Sequence, residues 1–148
     1  MNKAIVFDID NVLLDSKFII QEIFDSKLKG SEKWDYFYAH CNDEKISANP
    51  SFLFLMNELI DRTNITIFLS TARREENRKE TEQKLLDVGF DFFYMYMRNP
   101  DDFRPAPEVK LDHLQEIQKS YDILFFIDDD LNNCEMAKKL GITALRKI

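Results

Sequence analysis

A pair of aspartates, Asp8 and Asp10, lies at the end of the first apolar segment of this chain. The segment predicts a strand over residues 3–9, and a strand that ends there directs both carboxylates to the rim of a sheet. Open α/β sheets bind ligands at that rim, just beyond the carboxyl ends of their strands. On its own, the pair is equally consistent with structural roles, such as capping the next helix or lying solvated in a loop.

A second apolar segment also ends on acids. Residues 123–127 predict a central strand, and Asp128, Asp129 and Asp130 follow it directly. Two strands that bring carboxylates to one edge indicate a divalent cation, because hard cations such as Mg²⁺ take oxygen ligands. Asp130 is expected to be a loop or capping residue rather than a ligand.

A hydroxyl group and a lysine extend this set. A third apolar segment predicts a strand over residues 65–70, and Thr71 follows it, while Lys110 lies near the start of a predicted helix. Taken singly, Thr71 could cap the helix that begins near Glu75, and Lys110 could be an ordinary exposed lysine. The order of carboxylate pair, hydroxyl, lysine and carboxylate pair favours one common site instead.

Strands and helices are predicted to alternate along the chain. This alternation indicates an α/β fold in which a mainly parallel sheet carries helices on both faces. Asn132 or Asn133 is the predicted cap of the last helix, which ends at Gly141. The predicted strands cover residues 3–9, 65–70, 92–97, 123–127 and 142–145, and the other predicted helices begin at Pro50, Glu75 and near Pro107.

Residues 17–49 interrupt the alternation. They predict a small helical cap insertion beside Asp10, within a single domain over residues 1–148. The insertion contains the aromatic stretch Trp34-Asp35-Tyr36-Phe37-Tyr38. Its aromatic side chains either pack the cap onto the domain or stack against a substrate base.

Composition excludes several classes of protein. The 148 residues are 45% hydrophobic and 32% charged, with no apolar run of membrane-spanning length, so a cytoplasmic protein without membrane association is expected. The two cysteines, Cys41 and Cys134, are expected to be free buried thiols. The net charge of −7 argues only weakly against a polyanionic partner, because a bound cation reverses the sign of its surroundings. No obligate protein partner is predicted.

Four motifs together resemble the haloacid dehalogenase (HAD) superfamily, whose members are mostly magnesium-dependent phosphatases. The resemblance spans nearly the whole chain and implies a Rossmann-like parallel sheet, the HAD fold, with the insertion as its cap. The matching motifs are Phe7-Asp8-Ile9-Asp10-Asn11-Val12, Thr71 within Ser70-Thr71-Ala72-Arg73, Lys110, and Ile127-Asp128-Asp129.

The resemblance implies a role for each acid. Asp8 is the expected nucleophile and forms an aspartyl-phosphate, and Asp10 is the expected general acid and then base. Mg²⁺ is expected to be held by the Asp8 side chain, the Asp10 backbone carbonyl and Asp128, with Asp129 direct or through water.

Thr71 and Lys110 are expected to bind the phosphoryl oxygens, the first by a hydrogen bond and the second by its charge. The chain departs from the family at Asn11-Val12, where many members have Gly-Thr. Asn tolerates unusual backbone angles almost as Gly does, so the turn after Asp10 remains feasible.

The arginines bear on the substrate. Their placement, together with the approach to Lys110, resembles the 3′-phosphatase domain of phage-type polynucleotide kinase/phosphatase, without the GxxxxGK[ST] loop of the kinase half. Arg73 and Arg104 are the expected substrate contacts, whereas Arg74 and Arg78 are explained equally well by pairing with nearby glutamates.

Three functions are therefore consistent with the sequence. The first is a phosphatase of nucleic-acid or nucleotide 3′-phosphates, for which a small cap leaves a suitably open site. The second is a phosphatase of free nucleotides or another small phosphoester. The third is a non-catalytic binding module, against which the intact Asp8 and Asp10 argue.

Overall fold

Strands and helices alternate along most of the chain. The structure is a computed structural model that describes residues 1–148. The strands are β1 (Asn2–Phe7), β2 (Leu14–Asp15), β3 (Ser47–Ala48), β4 (Thr66–Arg74), β5 (Tyr94–Arg98), β6 (Tyr121–Asp128) and β7 (Ala144–Arg146). The helices are α1 (Lys17–Ser26), α2 (Ser31–His40), α3 (Pro50–Arg62), α4 (Arg78–Asp87), α5 (Ala106–Gln118) and α6 (Leu131–Lys139).

Five strands form one parallel sheet in the order β5-β4-β1-β6-β7. The predicted α/β fold with a parallel sheet is thereby confirmed. In this register Phe7 of β1 pairs with Leu69 of β4 and with Ile127 of β6. The residues that follow these three, Asp8, Ser70 and Asp128, consequently emerge side by side at one edge of the sheet.

Hydrophobic cores cover both faces of the sheet. On one face Phe7, Leu69 and Ile127 belong to a cluster of 17 buried residues, which also packs against the aromatic side chains of α2. On the other face Val6 and Phe126 belong to a cluster of 8 buried residues. Burial on both faces explains why the central strands are almost continuously apolar.

Residues 17–49 form α1, α2 and β3. Strand β3 pairs antiparallel with β2, which closes the insertion at its base. Helix α1 buries only Ile19, and α2 buries no residue completely. Asn49 then caps α3 by accepting hydrogen bonds from the backbone amides of Ser51 and Phe52.

Several local details differ from the predictions. Asp130, not Asn132 or Asn133, caps α6, because its carboxylate accepts hydrogen bonds from the backbone amides of both asparagines. Residues 75–77 form a separate 3₁₀ turn before α4. The capping role expected for Asp130 is confirmed, and so are the free, buried states of both cysteines. None of the helices combines the length and apolar character needed to cross a lipid bilayer.

Candidate active site

Lys110 joins the two predicted carboxylate motifs. Its Nζ donates hydrogen bonds to Asp8 Oδ1 at 2.7 Å and to Asp128 Oδ2 at 2.6 Å. All three side chains are almost completely buried: Lys110 is 2% exposed, Asp8 6% and Asp128 0%. A buried lysine between two buried aspartates is a costly arrangement that must be held by the surrounding fold. Strand ends and the second turn of α5 supply that support.

The acids around Lys110 carry more negative charge than one lysine balances. Carboxylate oxygens of Asp8, Asp128 and Asp129 all lie within 4.8 Å of one another. Burial raises the pKa of Asp8 well above its ordinary value; Lys110 opposes this effect and Asp128 adds to it. Burial and then Asp128 also raise the pKa of Asp129.

This donor set fits a magnesium ion. All the donors are oxygens, and a second positive charge would allow the carboxylates to ionise together. Two oxygens that bind one Mg²⁺ at about 2.1 Å lie about 3 to 4 Å apart, which is close to the spacing present here. The Asp10 side chain is outside the cluster, and binding of the ion by the Asp10 backbone carbonyl, which the resemblance implies, stays a prediction.

Asn133 orients one of these acids, a role that the sequence did not reveal. Its Nδ2 donates a hydrogen bond to Asp128 Oδ2 at 3.1 Å, and its own Oδ1 is buried without a partner. The backbone amide of Asp130 donates to the other oxygen of Asp128 at 2.9 Å. The position of an asparagine in the first turn of the helix that follows the acids is the signal that could have identified it.

Asp10 is fixed by Arg73 rather than by the cluster of Asp8, Asp128 and Asp129. Arg73 Nε donates to Asp10 Oδ2 at 2.9 Å, and Arg73 Nη2 donates to Asp10 Oδ1 at 2.7 Å, so the contact is bidentate. The Ser16 hydroxyl donates to Asp10 Oδ1 at 2.7 Å. Burial would raise the pKa of Asp10, but the Arg73 charge and hydrogen bonds outweigh it and hold that pKa below its ordinary value.

Arg73 lies beneath the site and not on its rim. It is 2% exposed. Besides Asp10, its guanidinium donates to Asn42 Oδ1, to Thr81 Oγ1 and to the carbonyl of Cys41. Its contacts therefore connect the acid Asp10 to the end of the cap. A direct contact between Arg73 and substrate stays a prediction, and the geometry favours an action through Asp10.

Thr71 is buried beside this network. Its Oγ1 accepts a hydrogen bond from the Arg73 backbone amide at 3.1 Å, which leaves the hydroxyl proton free to donate to another group. The alternative role as a cap of the helix near Glu75 has no contact to support it, because neither the 3₁₀ turn nor α4 has a side-chain cap.

A second network, not foreseen from the sequence, holds the neighbouring strands. His113 of α5 is within 2.8 Å of Ser70 Oγ through Nδ1 and within 3.1 Å of the Met97 carbonyl through Nε2. A carbonyl oxygen only accepts hydrogen bonds, so Nε2 carries the proton and donates it to the Met97 carbonyl. In the neutral ring Nδ1 then accepts a hydrogen bond from the Ser70 hydroxyl. Burial lowers the pKa of His113 to about 4, which keeps it neutral.

Asn11 makes the turn after Asp10 with φ of 62°. This left-handed conformation favours glycine and is tolerated best by asparagine among other residues. The departure from the Gly of related motifs is therefore compatible with the chain path. The Asn11 Oδ1 atom is buried without a hydrogen-bond partner.

The remaining arginines have separate roles. Arg104 lies at the surface, paired with Asp102 and Asp112. Arg98 donates to the carbonyls of Ala72, Asp102 and Arg104 and so fixes the loop before α5. Arg78 pairs with Glu75 and Glu82 as the sequence alternative expected, whereas Arg74 lies over the ring of Tyr38 at 5.1 Å.

Comparison with known proteins identifies a family. Residues 1–144 match the family described as "HAD superfamily, subfamily IIIB (Acid phosphatase)". The resemblance inferred from the four motifs is thereby confirmed. Among curated proteins, none matches this sequence.

Solved structures share the fold at low sequence identity. A chain of the Pnkp1/Rnl/Hen1 complex matches 99% of this chain at 21% identity and a TM-score of 0.77; this chain spans 46% of that one. The class C acid phosphatase from Bacillus anthracis, solved with tungstate, matches 89% of this chain and 53% of its own at 19% identity and a TM-score of 0.71. A HAD family enzyme from Bacteroides thetaiotaomicron, solved with magnesium and inorganic phosphate, covers 100% of this chain and 95% of its own at 17% identity and a TM-score of 0.59.

Proposed function

Because this chain belongs to the HAD superfamily, subfamily IIIB, and is a phosphatase, we propose that it is a magnesium-dependent phosphomonoester hydrolase that acts through an aspartyl-phosphate on nucleic-acid or nucleotide 3′-phosphates. The observation that carries the proposal is the buried bridge from Lys110 to Asp8 and Asp128. This bridge brings together, at one edge of the sheet, the nucleophilic carboxylate of Asp8, the ammonium group of Lys110 and the carboxylate of Asp128, whose oxygens can bind a metal ion.

Asp8 is the proposed nucleophile. A carboxylate oxygen of Asp8 attacks phosphorus, and the bond between phosphorus and the leaving oxygen breaks. Hydrogen bonding to Lys110 restricts the Asp8 side chain to one orientation, which favours an in-line approach. Water then attacks the same phosphorus atom, which releases inorganic phosphate and restores the Asp8 carboxylate.

Asp10 is the proposed proton carrier for both steps. It gives a proton to the leaving oxygen and later takes one from the attacking water. The bidentate contact with Arg73 fixes the carboxylate, and its lowered pKa suits the second step, in which Asp10 must be ionised. For the first step it must take up a proton, for which its side chain is 22% exposed to solvent.

Thr71 and Lys110 are the proposed ligands of the transferring phosphoryl group. The free hydroxyl proton of Thr71 and the ammonium of Lys110 would stabilise the equatorial oxygens. Asp8, Asp128, Asp129 and the backbone carbonyl of Asp10 would hold Mg²⁺. The ion supplies positive charge that lets an anionic nucleophile approach an anionic phosphate.

Two observations support a nucleic-acid or nucleotide substrate. Aromatic residues of the cap line one cavity together with Arg74, Arg98 and Arg104, and the structural neighbours include a chain of a complex described as an RNA repair complex. A free nucleotide or another small phosphoester is the second candidate, favoured by the match to an acid phosphatase family. The assignment of residues 1–148 to one domain with residues 17–49 as its cap, a cytoplasmic location and the absence of an obligate protein partner are parts of the same proposal.

A substrate comparison with Mg²⁺ tests this function. The substrates are a 3′-phosphorylated oligonucleotide, the mononucleotides and an aryl phosphate, each with wild type and with Asp8→Asn. We expect oligonucleotide turnover to exceed the others and Asp8→Asn to lower kcat by about 10⁴-fold for all of them. Asp122→Asn, at the exposed opposite end of β6, is the matched control and should behave as wild type.

The two parts of the proposal fail in different ways. Preferential hydrolysis of mononucleotides contradicts the polynucleotide substrate and leaves the mechanism standing. Unchanged activity of Asp8→Asn contradicts the nucleophile whatever the substrate. Turnover that persists without change after removal of divalent cations contradicts the role of Mg²⁺.

A further inference from the structure

An apolar groove lies between the two helices of the cap. It has a volume of about 870 Å³, and its lining includes Phe24, Trp34 and Phe37. Phe24 is 77% exposed and Trp34 is 49% exposed. Solvated aromatic rings on a cap are unfavourable unless they are covered during function, so this cap groove is a candidate binding surface.

The charge of the cap groove is opposite to that of the chain. Lys27, Lys29 and Lys33 also line the groove, and none of its lining residues is acidic. The chain as a whole has a net charge of −7. Lys33 Nζ lies 5.3 Å from the centre of the Trp34 ring. The groove is therefore a local basic and aromatic surface on an acidic protein, which selects an anionic occupant with apolar faces.

Trp34 connects the cap groove to a second cavity, the edge cavity, at the edge of the sheet where β4 ends and α5 begins. This edge cavity has a volume of about 370 Å³, and its lining includes Trp34, Tyr38, Arg74 and Phe103. Phe103 is 81% exposed. The Arg74 guanidinium lies over the Tyr38 ring at 5.1 Å. Aromatic rings and cations thus line both cavities, and Asp102 is the one acidic residue among them.

The edge cavity also adjoins the phosphoryl-binding residues. Its lining includes Ala72, which follows Thr71 in β4, and Ala106, which lies one helical turn before Lys110 on the same face of α5. The edge cavity is therefore lined by close neighbours of Thr71 and Lys110, and it shares Trp34 with the cap groove.

We propose that this surface is a track for single-stranded nucleic acid, whose 3′-terminal phosphate lies at Asp8 while the preceding nucleotides run through the edge cavity into the cap groove. This inference rests on the proposed function and deepens it. Bases stack on aromatic rings irrespective of their identity, and lysines neutralise the backbone phosphates between them. An acidic protein segment would match the charge of the groove, but it would not explain why the groove shares Trp34 with a cavity lined by neighbours of Thr71 and Lys110.

A length series of 3′-phosphorylated oligonucleotides tests the track. We expect KM to fall as the strand lengthens from a mononucleotide until the track is filled. In a variant with Lys27→Gln, Lys29→Gln and Lys33→Gln, KM for long strands should rise about tenfold at low salt, and the dependence of log KM on log salt should weaken by about 2. Turnover of a small aryl phosphate reports on the active site alone and should be unaffected.

A second triple variant controls for the change in total charge. It replaces Lys79, Lys119 and Lys139, which are exposed on other elements, with Gln. The track predicts that this control keeps the wild-type salt dependence. The track is overturned if KM does not change with strand length, or if both triple variants have the salt dependence of wild type. Either result favours an acidic protein segment as the occupant of the cap groove. Absence of Asp8-dependent hydrolysis of every 3′-phosphorylated substrate contradicts the proposed function itself and the track with it.

Discussion

The floor of the active site and the cap differ in how their charged and aromatic groups are held. On the floor, the buried Lys110 donates hydrogen bonds to Asp8 and Asp128 at 2.7 and 2.6 Å, and the buried Arg73 donates to Asp10 at 2.9 Å. In the cap, α2 buries no residue completely, and its Trp34 is half exposed.

This difference separates chemistry from substrate capture. Fixed charges in a water-excluded site stabilise developing charge without having to reorganise, so the floor must be rigid. A surface that accepts strands of varied sequence needs aromatic faces and cations but no fixed pairing. Substitutions on the floor should therefore affect every substrate, whereas substitutions in the cap should affect only substrates that extend beyond the phosphate.

Among the changes on the floor that leave Asp8 and Asp10 in place, substitution of Arg73, which holds Asp10, is expected to have the largest effect. Arg73→Lys keeps one positive charge but loses the bidentate contact, so Asp10 is no longer fixed. We expect the rate of the first step, measured as the burst of leaving-group release, to fall by about 10²-fold for an alkyl phosphate and much less for an aryl phosphate, because a good leaving group needs little protonation.

Two controls accompany this prediction. Arg62→Lys replaces an exposed arginine that pairs with Glu58 and should leave both rates unchanged. A thermal melt establishes that Arg73→Lys is folded. Equal losses for alkyl and aryl phosphates in this first step would show that Arg73 supports the fold or the phosphoryl group rather than the proton carrier.

The burial of His113 leads us to expect that the free energy of unfolding depends on pH. Its pKa of about 4 in the folded protein lies below the ordinary 6.5, so the unfolded chain binds the extra proton first as pH falls. Stability should therefore decline as pH decreases from about 6.5 to about 4, by about 3 kcal/mol in the free energy of unfolding from this group. Urea unfolding at a series of pH values measures the slope.

His113→Gln should flatten that slope, whatever its effect on stability at neutral pH. The other histidine, His40, is replaced by Gln in parallel, so that the contribution of each residue is read separately. A slope that persists in His113→Gln would contradict the neutral, buried histidine.

Asn133 should influence the affinity for Mg²⁺ rather than the rate of the reaction. Asn133→Ala removes the hydrogen bond to Asp128 Oδ2, so the Mg²⁺ concentration for half-maximal activity should rise about tenfold. The rate at saturating Mg²⁺ should change little. Asn132→Ala, at the exposed neighbouring position, is the matched control, and an equal effect of both substitutions would argue against the orienting role.

Trp34→Ala should have the smallest and most selective effect. Loss of one stacking ring should raise KM for a 3′-phosphorylated oligonucleotide about tenfold or less, with kcat for an aryl phosphate unchanged. Phe54→Ala, an exposed aromatic residue on α3 outside both cavities, is the control. An equal loss of activity toward the aryl phosphate would contradict the proposed difference in role between the floor and the cap.

The sequence predicted the parts of this molecule that follow from strand ends. Asp8 and Asp128 both reach Lys110 because apolar parallel strands end at a common edge, and that signal is local. The pairing of Arg73 with Asp10 joins residues 63 positions apart, and the contact of His113 with Ser70 spans 43. No periodicity or spacing encodes such contacts, which arise only from tertiary packing.

The residue that caps α6 is a second feature that the sequence alone does not determine. The stretch Asp130-Leu131-Asn132-Asn133 offers three side chains that can cap a helix, and the structure selects Asp130. The choice frees Asn133 to reach Asp128, which depends on where β6 ends relative to α6. Arg73 is expected from the sequence to contact substrate for a related reason, since arginines are usually exposed, whereas the structure buries this one against Asp10.

The most direct test of the central claim is to trap the phosphoryl group on Asp8. In Asp10→Asn, an aryl phosphate can still transfer its phosphoryl group because its leaving group needs no proton, while hydrolysis is slowed by loss of the base. Acid quenching followed by mass spectrometry of peptides should find one phosphoryl group on the peptide that contains Asp8. A phosphoryl group on another residue, or none during turnover, would contradict the account.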